Sequence, residues 1–239
     1  MKLTWLGQGG FLVVSGRWRL AVDPYLSDAL AGEGLARMTP PPCSPQELSP
    51  TLVVCTHDHA DHLDSQTIPP IAQAFSGCLF AGPATVVRHL GELGIGPDRC
   101  RVLGGGEKLP HGCMTIAAAP ARHEGDAIGV IVQAEGLAVY ISGDTLFFDA
   151  LADGVRSAAG GAVDVAAICI NGKWGNMTWQ QAVEVVAALR PRLAVPMHYG
   201  MFRQNTADPA LFVAAVEGMG IKTAVLEVGL AVELPGPRR

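Results

Sequence analysis

Apolar residues come in short runs along this chain, and glycine, proline and polar residues interrupt them repeatedly. Leu3–Leu6, Phe11–Ser15 and Trp18–Val22 have the length and composition of strands, with turns at Gly7-Gln8-Gly9-Gly10 and Ser15-Gly16. Asp23-Pro24 closes the third run. The pattern then dissolves. Residues 28–50 are rich in Gly, Pro and Ala, and Pro40-Pro41-Pro42 with Pro45 works against regular structure, so a long surface loop is expected there. Loops of that length commonly serve as lids or interface arms.

From residue 52 onward, strand-like and helix-like stretches alternate. A strand over 52–56 precedes a helix at about 67–75. A strand over 78–81 precedes Gly82-Pro83 and a helix at about 84–93, with Pro83 near its first turn. Short strands are expected at about 100–103, 114–119, 127–133 and 137–142. A helix at about 146–156 then precedes a strand at 164–170. A helix at 178–189, opened by a Thr178 to Gln181 capping-box spacing, precedes a strand at 193–197. A helix at 209–218 precedes a strand at 223–227. Strands cluster early and alternate with helices later, in two comparable halves, about 1–120 and 121–239. The expected fold is α/β: one domain in which two sheets pack together with helices outside, a four-layer α/β/β/α sandwich.

Composition supports a large core. The 239 residues are 49% hydrophobic and 16% charged, with a formal net charge of -5. No basic stripe stands out, and the Arg238-Arg239 pair is too short to act as one, so no nucleic-acid partner is expected. No apolar run approaches the ~20 residues of a membrane span, and strand-like sequence begins at Met1 without a signal peptide. A cytoplasmic location without membrane attachment follows as the expectation. Six scattered cysteines without a CxxC pair read as free thiols, with Cys55, Cys78 and Cys169 in or beside apolar runs.

One stretch changes the picture. Thr56-His57-Asp58-His59-Ala60-Asp61-His62 follows the apolar run Leu52–Cys55, and at that density His and Asp cost stability unless something binds them. A divalent cation is the usual answer. His57 and His59, two apart on extended backbone, point to one side, and Asp61 and His62 follow as the chain turns. One loop thus offers ligands to two neighbouring ions and completes neither shell. Three other strands end on ligand types: His123 beyond 114–119, Asp144 in Ser142-Gly143-Asp144 after 137–142, and His198 after 193–197. Strand ends are where α/β sites gather, so these three are expected to converge on the cluster. His89, in a helix, and His111, in a Pro-His-Gly turn, read as ordinary surface residues.

With the cluster, a later His, the Ser-Gly-Asp and a final His, the chain resembles the metallo-β-lactamase superfamily over nearly its whole length. Trp5-Leu6-Gly7, Phe80-Ala81-Gly82-Pro83, Ser142-Gly143-Asp144 and His198-Tyr199 resemble the branch containing L-ascorbate-6-phosphate lactonase and small metal-dependent hydrolases. The resemblance implies a dinuclear site with two divalent ions, Zn²⁺ or Mn²⁺ first, Fe²⁺ or Ni²⁺ as other occupants of an N/O shell. His57, His59 and His123 would hold one, Asp61, His62 and His198 the other, and Asp144 would bridge them. Many relatives carry His where this chain has Gln8.

The implied chemistry is attack by a metal-bridging hydroxide on a carbonyl or phosphoryl centre, with Asp61 orienting the nucleophile and moving its proton. A net positive centre favours a small, anionic substrate, such as a sugar-phosphate lactone. A phosphodiesterase or nuclease on the same fold, and a non-catalytic metal-binding module, are the alternatives. Tyr199 is the expected oxyanion donor, and Lys173, Asn176, Arg203 and Asn205 the expected substrate contacts. A homo-oligomer stays open.

Overall fold

The short apolar runs pair into two seven-stranded sheets in the structure, a computed structural model that describes residues 1–236. The Arg238-Arg239 pair lies outside the described residues. The first sheet contains β1 (Lys2–Gly7), β2 (Gly10–Ser15), β3 (Trp18–Val22), β4 (Leu52–Val54), β5 (Leu79–Gly82) and β6 (Cys100–Val102). The second contains β7 (Lys108–His111), β8 (Met114–Pro120), β9 (Ile128–Ala134), β10 (Leu137–Ile141), β11 (Val165–Cys169), β12 (Leu193–Met197) and β13 (Lys222–Thr223). The last strand, β14 (Ala231–Glu233), returns to the first sheet beside β1. The sheets part between β6 and β7, ahead of the division at about 120 expected from the sequence.

Both sheets follow one plan, an antiparallel meander that continues into parallel strands. This plan positions the site. Within the first sheet β1, β3 and β4 run the same way, so Gln8, Asp23 and residues 56–62 emerge from one end. Within the second sheet β8, β10, β11 and β12 run the same way, so the segments bearing His123, Asp144, Asn171 and His198 emerge together.

Strand periodicity sorts side chains between the layers. Leu20, Val22, Leu52 and Val54 point into the core shared with Ile116, Val130, Val139 and Ile141 of the second sheet. The alternate residues Ala21, Val53, Cys55 and Phe80 pack instead with Ile68 and Ile71 of α2 (Ile68–Ala74) and Val86 and Leu90 of α3 (Ala84–Glu92). On the far side, α4 (Leu151–Ala159), α5 (Trp179–Leu189) and α6 (Pro209–Gly218) join the larger core through Val155, Val186 and Phe212. The four-layer sandwich is therefore present. The Thr178 capping box opens α5 as expected, its side chain accepting from Gln181 N while Gln181 Oε1 accepts from Thr178 N.

Several expectations are corrected. The helix placed at about 146–156 starts at Leu151, because residues 146–150 leave the Asp144 turn as a loop anchored by Leu146 N on Arg122 O at 2.8 Å. The 28–50 loop is not structureless: it holds a 3-10 turn over Ala29–Glu33 and a short helix, α1 (Pro45–Leu48), capped by Ser44 and Glu47. Strand β7 escaped notice because Pro110 lies inside it, which an edge strand tolerates. His111 is buried rather than on the surface: its Nε2 lies 2.8 Å from Thr51 Oγ1 and its ring meets Trp18 edge-on. Cys55, Cys78 and Cys169 are buried free thiols. Among the described residues no helix is long and apolar enough to cross a membrane.

Candidate metal centre

Beyond Val54 the first sheet releases the chain into a tight turn in which His62 N and Leu63 N both donate to His59 O, at 2.9 and 2.8 Å. The turn gathers the ligands that the sequence left apart. His57 Nε2 lies 3.0 Å from His59 Nδ1, and His123 Nε2 lies 3.2 Å from that same nitrogen. A zinc–nitrogen distance of about 2.1 Å puts tetrahedral ligand nitrogens roughly 3.4 Å apart, so this triad has nearly the span of a zinc shell. Asp61, His62 and His198 form a second triad, with ligand atoms within 4.8 Å of one another. Asp144 stands between the two: its Oδ1 is 3.0 Å from His198 Nε2 and 3.4 Å from His62 Nε2, while its Oδ2 is 3.9 Å from His123 Nε2. His57, His62, Asp144 and His198 are buried, whereas the His59 side chain is 40% exposed and Asp61 17%, so the centre opens on the His59–Asp61 side.

Outer partners aim four of the imidazoles. Asp23, fully buried at the end of β3, accepts from Thr56 N, from Thr56 Oγ1 and from His62 Nδ1, each at 2.7 Å. Because Thr56 gives its hydroxyl proton to Asp23, its oxygen accepts from His57 Nδ1 at 3.0 Å. His123 Nδ1 donates to Gly175 O at 3.1 Å, and His59 Nε2 faces Glu124 Oε2 at 3.3 Å. Each contact places the N–H outward and leaves a lone pair on the nitrogen that faces the cluster, as metal-binding histidines require. Two glycines permit the approach: a Cβ on Gly9 would lie 2.7 Å from the His62 ring, and one on Gly175 2.7 Å from His123 Nδ1. Sequence reasoning missed Asp23. Its signal was an acid closing an apolar strand, the same signal that singled out Asp144.

The donor set fits divalent cations. Buried polar atoms are nearly always paired, yet His62 Nε2 and Asp144 Oδ1 have no hydrogen-bond partner. Three ring nitrogens converge on one point at the other triad, where a cation is the natural common partner. Charge tells the same story. Burial opposes ionisation of Asp144, but His198 and His62 outweigh it and hold the carboxyl well below its ordinary value. Burial likewise opposes a charged His62, and the carboxylates of Asp144, Asp61 and Asp23 outweigh it, holding the imidazole well above its usual value. His57 is driven well below the usual range by burial and by His62, so it presents a neutral ring. The buried anions demand positive charge, which a metal would supply in place of a proton.

Gln8 also joins the centre. Fully buried, it donates from Nε2 to Asp61 Oδ2 at 2.9 Å and lies 3.3 Å from His198 Nε2, while its backbone oxygen accepts from His198 N and from Trp5 Nε1. Gln8, Asp23 and His198 all have positive φ, at 49°, 44° and 65°. Such backbone costs energy for residues other than Gly and persists where the surrounding structure enforces it, commonly at active sites. Gln8→Ala is expected to leave metal content intact and to lower turnover about tenfold by freeing Asp61. A variant with unaltered kcat would show that Asp61 needs no such tether.

The expected substrate contacts separate by structure. Lys173 Nζ donates to Gln204 O at 3.0 Å, and Asn205 Oδ1 accepts from Asn171 Nδ2 at 2.7 Å, so both are engaged within the fold rather than standing free. Gln204 Nε2 donates to Gly34 O and Met38 N to Met201 O, which ties the 28–50 loop to the segment that follows His198. Arg203 is exposed. Asn176 is buried with both amide atoms unpaired. Tyr199 packs on Trp5, 4.9 Å between centroids, with its hydroxyl unpaired and pushed up to about 12 by burial.

Residues 18–199 match the β-lactamase superfamily domain. The chain is 33% identical to a protein named UPF0173 metal-dependent hydrolase from Pyrobaculum arsenaticum, over 98% of this chain and 100% of the relative. It is 30% identical to a protein of the same name from Opitutus terrae, over 98% and 100%. Among solved structures, Igni18, described as a novel metallo hydrolase from Ignicoccus hospitalis, superposes with a TM-score of 0.78 at 28% identity, over 98% of this chain and 99% of that one.

Proposed function

Because the chain belongs to the metallo-β-lactamase superfamily, we propose that it is a metal-dependent hydrolase of small esters or lactones, anionic sugar-phosphate lactones among them. The observation that carries the reading is the shared position of Asp144, with one oxygen turned to His62 and His198 and the other to His123. His57, His59 and His123 would hold one ion and Asp61, His62 and His198 the second. Bound divalent ions supply a water acidified toward neutral pH and a Lewis acid for the substrate oxygen.

The chain's own groups then do the rest. Gln8 engages Asp61 Oδ2, which leaves Oδ1 to receive a proton as the nucleophile attacks. Since Asp61 is the partly exposed carboxylate of the centre, it can pass that proton on to the leaving group or to water. A buried phenol without a partner is costly, and donation from Tyr199 to the substrate oxygen that gains charge would satisfy it. The unpaired Asn176 amide is suited to a polar group beside the carbonyl, with Arg203 at the rim for an anionic one. The cytoplasm and Zn²⁺ or Mn²⁺ remain the proposed setting and metal.

Elemental analysis of the protein as purified, followed by a panel of phosphorylated lactones, free lactones, simple esters and phosphodiesters with Zn²⁺ or Mn²⁺, tests the reading. Turnover of lactones or esters is expected. Turnover confined to phosphodiesters would replace the substrate class. Tyr199→Phe is expected to lower kcat about 100-fold with KM little changed, the size of effect seen when one oxyanion donor is removed. An undiminished kcat would take Tyr199 out of the reaction.

A further inference from the structure

The turn that orients His123 carries a tryptophan where the backbone disfavours one. Asn171 pairs with Thr178, Gly172 N donates to Met177 O at 3.0 Å, and Asn176 N donates to Lys173 O at 3.2 Å, which makes a small hairpin with Trp174-Gly175 at its tip. Both tip residues have positive φ, 51° and 81°, the turn for which Asn-Gly is the usual occupant. Trp174 is nevertheless there, and 56% exposed. The chain thus accepts an unfavourable backbone for a bulky residue together with a large apolar ring in water. Most of the residue's surface stays in water at that exposure.

The ring is not on a loose loop. Asn171 Nδ2 and Asn176 N bond Lys173 O, Lys173 Nζ bonds Gln204 O, and His123 Nδ1 bonds Gly175 O. Trp174 is therefore fixed one residue from the carbonyl that orients a candidate metal ligand. A second exposed apolar residue lies on another segment whose backbone is bonded beside the same ligand. Leu146 is 48% exposed, lies two residues past Asp144, and has its N–H on the carbonyl of Arg122, the residue before His123. Phe147 and Phe148 follow it, partly buried against the core.

We infer that Trp174 and Leu146 form an apolar subsite at the mouth of the centre, which takes a hydrocarbon or aromatic substituent of the substrate. The inference rests on the hydrolase reading above and narrows it. The favoured ester or lactone bears an alkyl or aryl group rather than a sugar phosphate.

Acetate, butyrate, hexanoate and octanoate, each resembling the acid released from an ester, can be titrated into the metal-loaded full chain and followed by calorimetry and tryptophan emission. Octanoate is expected to bind at least about tenfold more tightly than butyrate, since each buried methylene strengthens binding severalfold. It is also expected to perturb the emission. In Trp174→Gly the gain with chain length should fall below about threefold while acetate binds as before; Trp174→Phe should retain most of it. Glycine accepts the backbone of this turn without strain, so Trp174→Gly is expected to melt no lower than the wild type. An equal chain-length gain in wild type and Trp174→Gly, or no gain in the wild type, overturns the subsite alone. No carboxylate binding to the metal-loaded wild type overturns the hydrolase reading beneath it.

Discussion

Stripping divalent metal with a chelator is expected to abolish hydrolysis and lower the melting temperature by roughly 10 °C, with both restored by Zn²⁺ or Mn²⁺. A ligand present at 100 to 1,000 times its Kd stabilises by about 3–4 kcal/mol. A chain of 239 residues shifts by about 2–4 °C per kcal/mol. The loss should grow from mildly acidic to mildly alkaline buffer, and the sign follows from His62. Its value is held well above the ordinary one, once the carboxylates of Asp144, Asp61 and Asp23 outweigh burial. The protonated ring therefore stabilises the metal-free fold at low pH and stops doing so as pH rises through its elevated value. Metal binding gains over the same range, because protons compete for its ligands. Asp144→Ala is expected to reproduce the metal-free behaviour in ordinary buffer. Full activity and an unmoved melting temperature in protein shown metal-free by elemental analysis would end the metal-dependent account.

Asp23→Ala should be the most damaging change outside the ligands themselves. It strands the Thr56 amide, the Thr56 hydroxyl and His62 Nδ1 in a fully buried place. Removing one partner from such a buried charged network costs about 3–5 kcal/mol. Asp23→Asn is the more informative variant. It keeps the volume and one acceptor but sets an amide N–H against a donor, so His62 loses the contact that aims its Nε2 inward. Metal affinity is expected to fall by about 10- to 100-fold in a chain that still folds. Competition against a coloured chelator, alongside thermal melts of both variants, reads the two effects separately. Unchanged affinity in Asp23→Asn would reduce Asp23 to a structural brace.

Much of the centre could be read from the chain because its parts are local. His57, His59, Asp61 and His62 share one turn, so their spacing alone announced a cation site, and Asp144 and His198 carried the same signal at strand ends. Asp23 lacked a neighbouring ligand to draw notice; it matters through Thr56 and His62, more than thirty residues away. Gln8 was visible as a departure from the usual His, but its hold on Asp61 spans 53 positions. Lys173 and Asn205 were expected to meet the substrate because polar loop residues near ligands often do. Their partners, Gln204 O and Asn171, became known only when the fold was assembled.

The strand and helix pattern follows from periodicity and turn residues, which act over a few positions, and with the clustered histidines it sufficed for the sandwich and a metal-binding centre. Folding settles different matters: which nitrogen of each imidazole faces inward, which oxygen of Asp144 serves which triad, and which polar groups at the mouth are left unpaired. These depend on hydrogen bonds between strands that run the same way but lie far apart along the chain. Trp174 shows the limit most plainly. In the sequence it is a tryptophan beside a glycine that fits a pocket wall and the core equally, and only the left-handed turn on the His123 contact makes its exposure a cost that calls for a ligand.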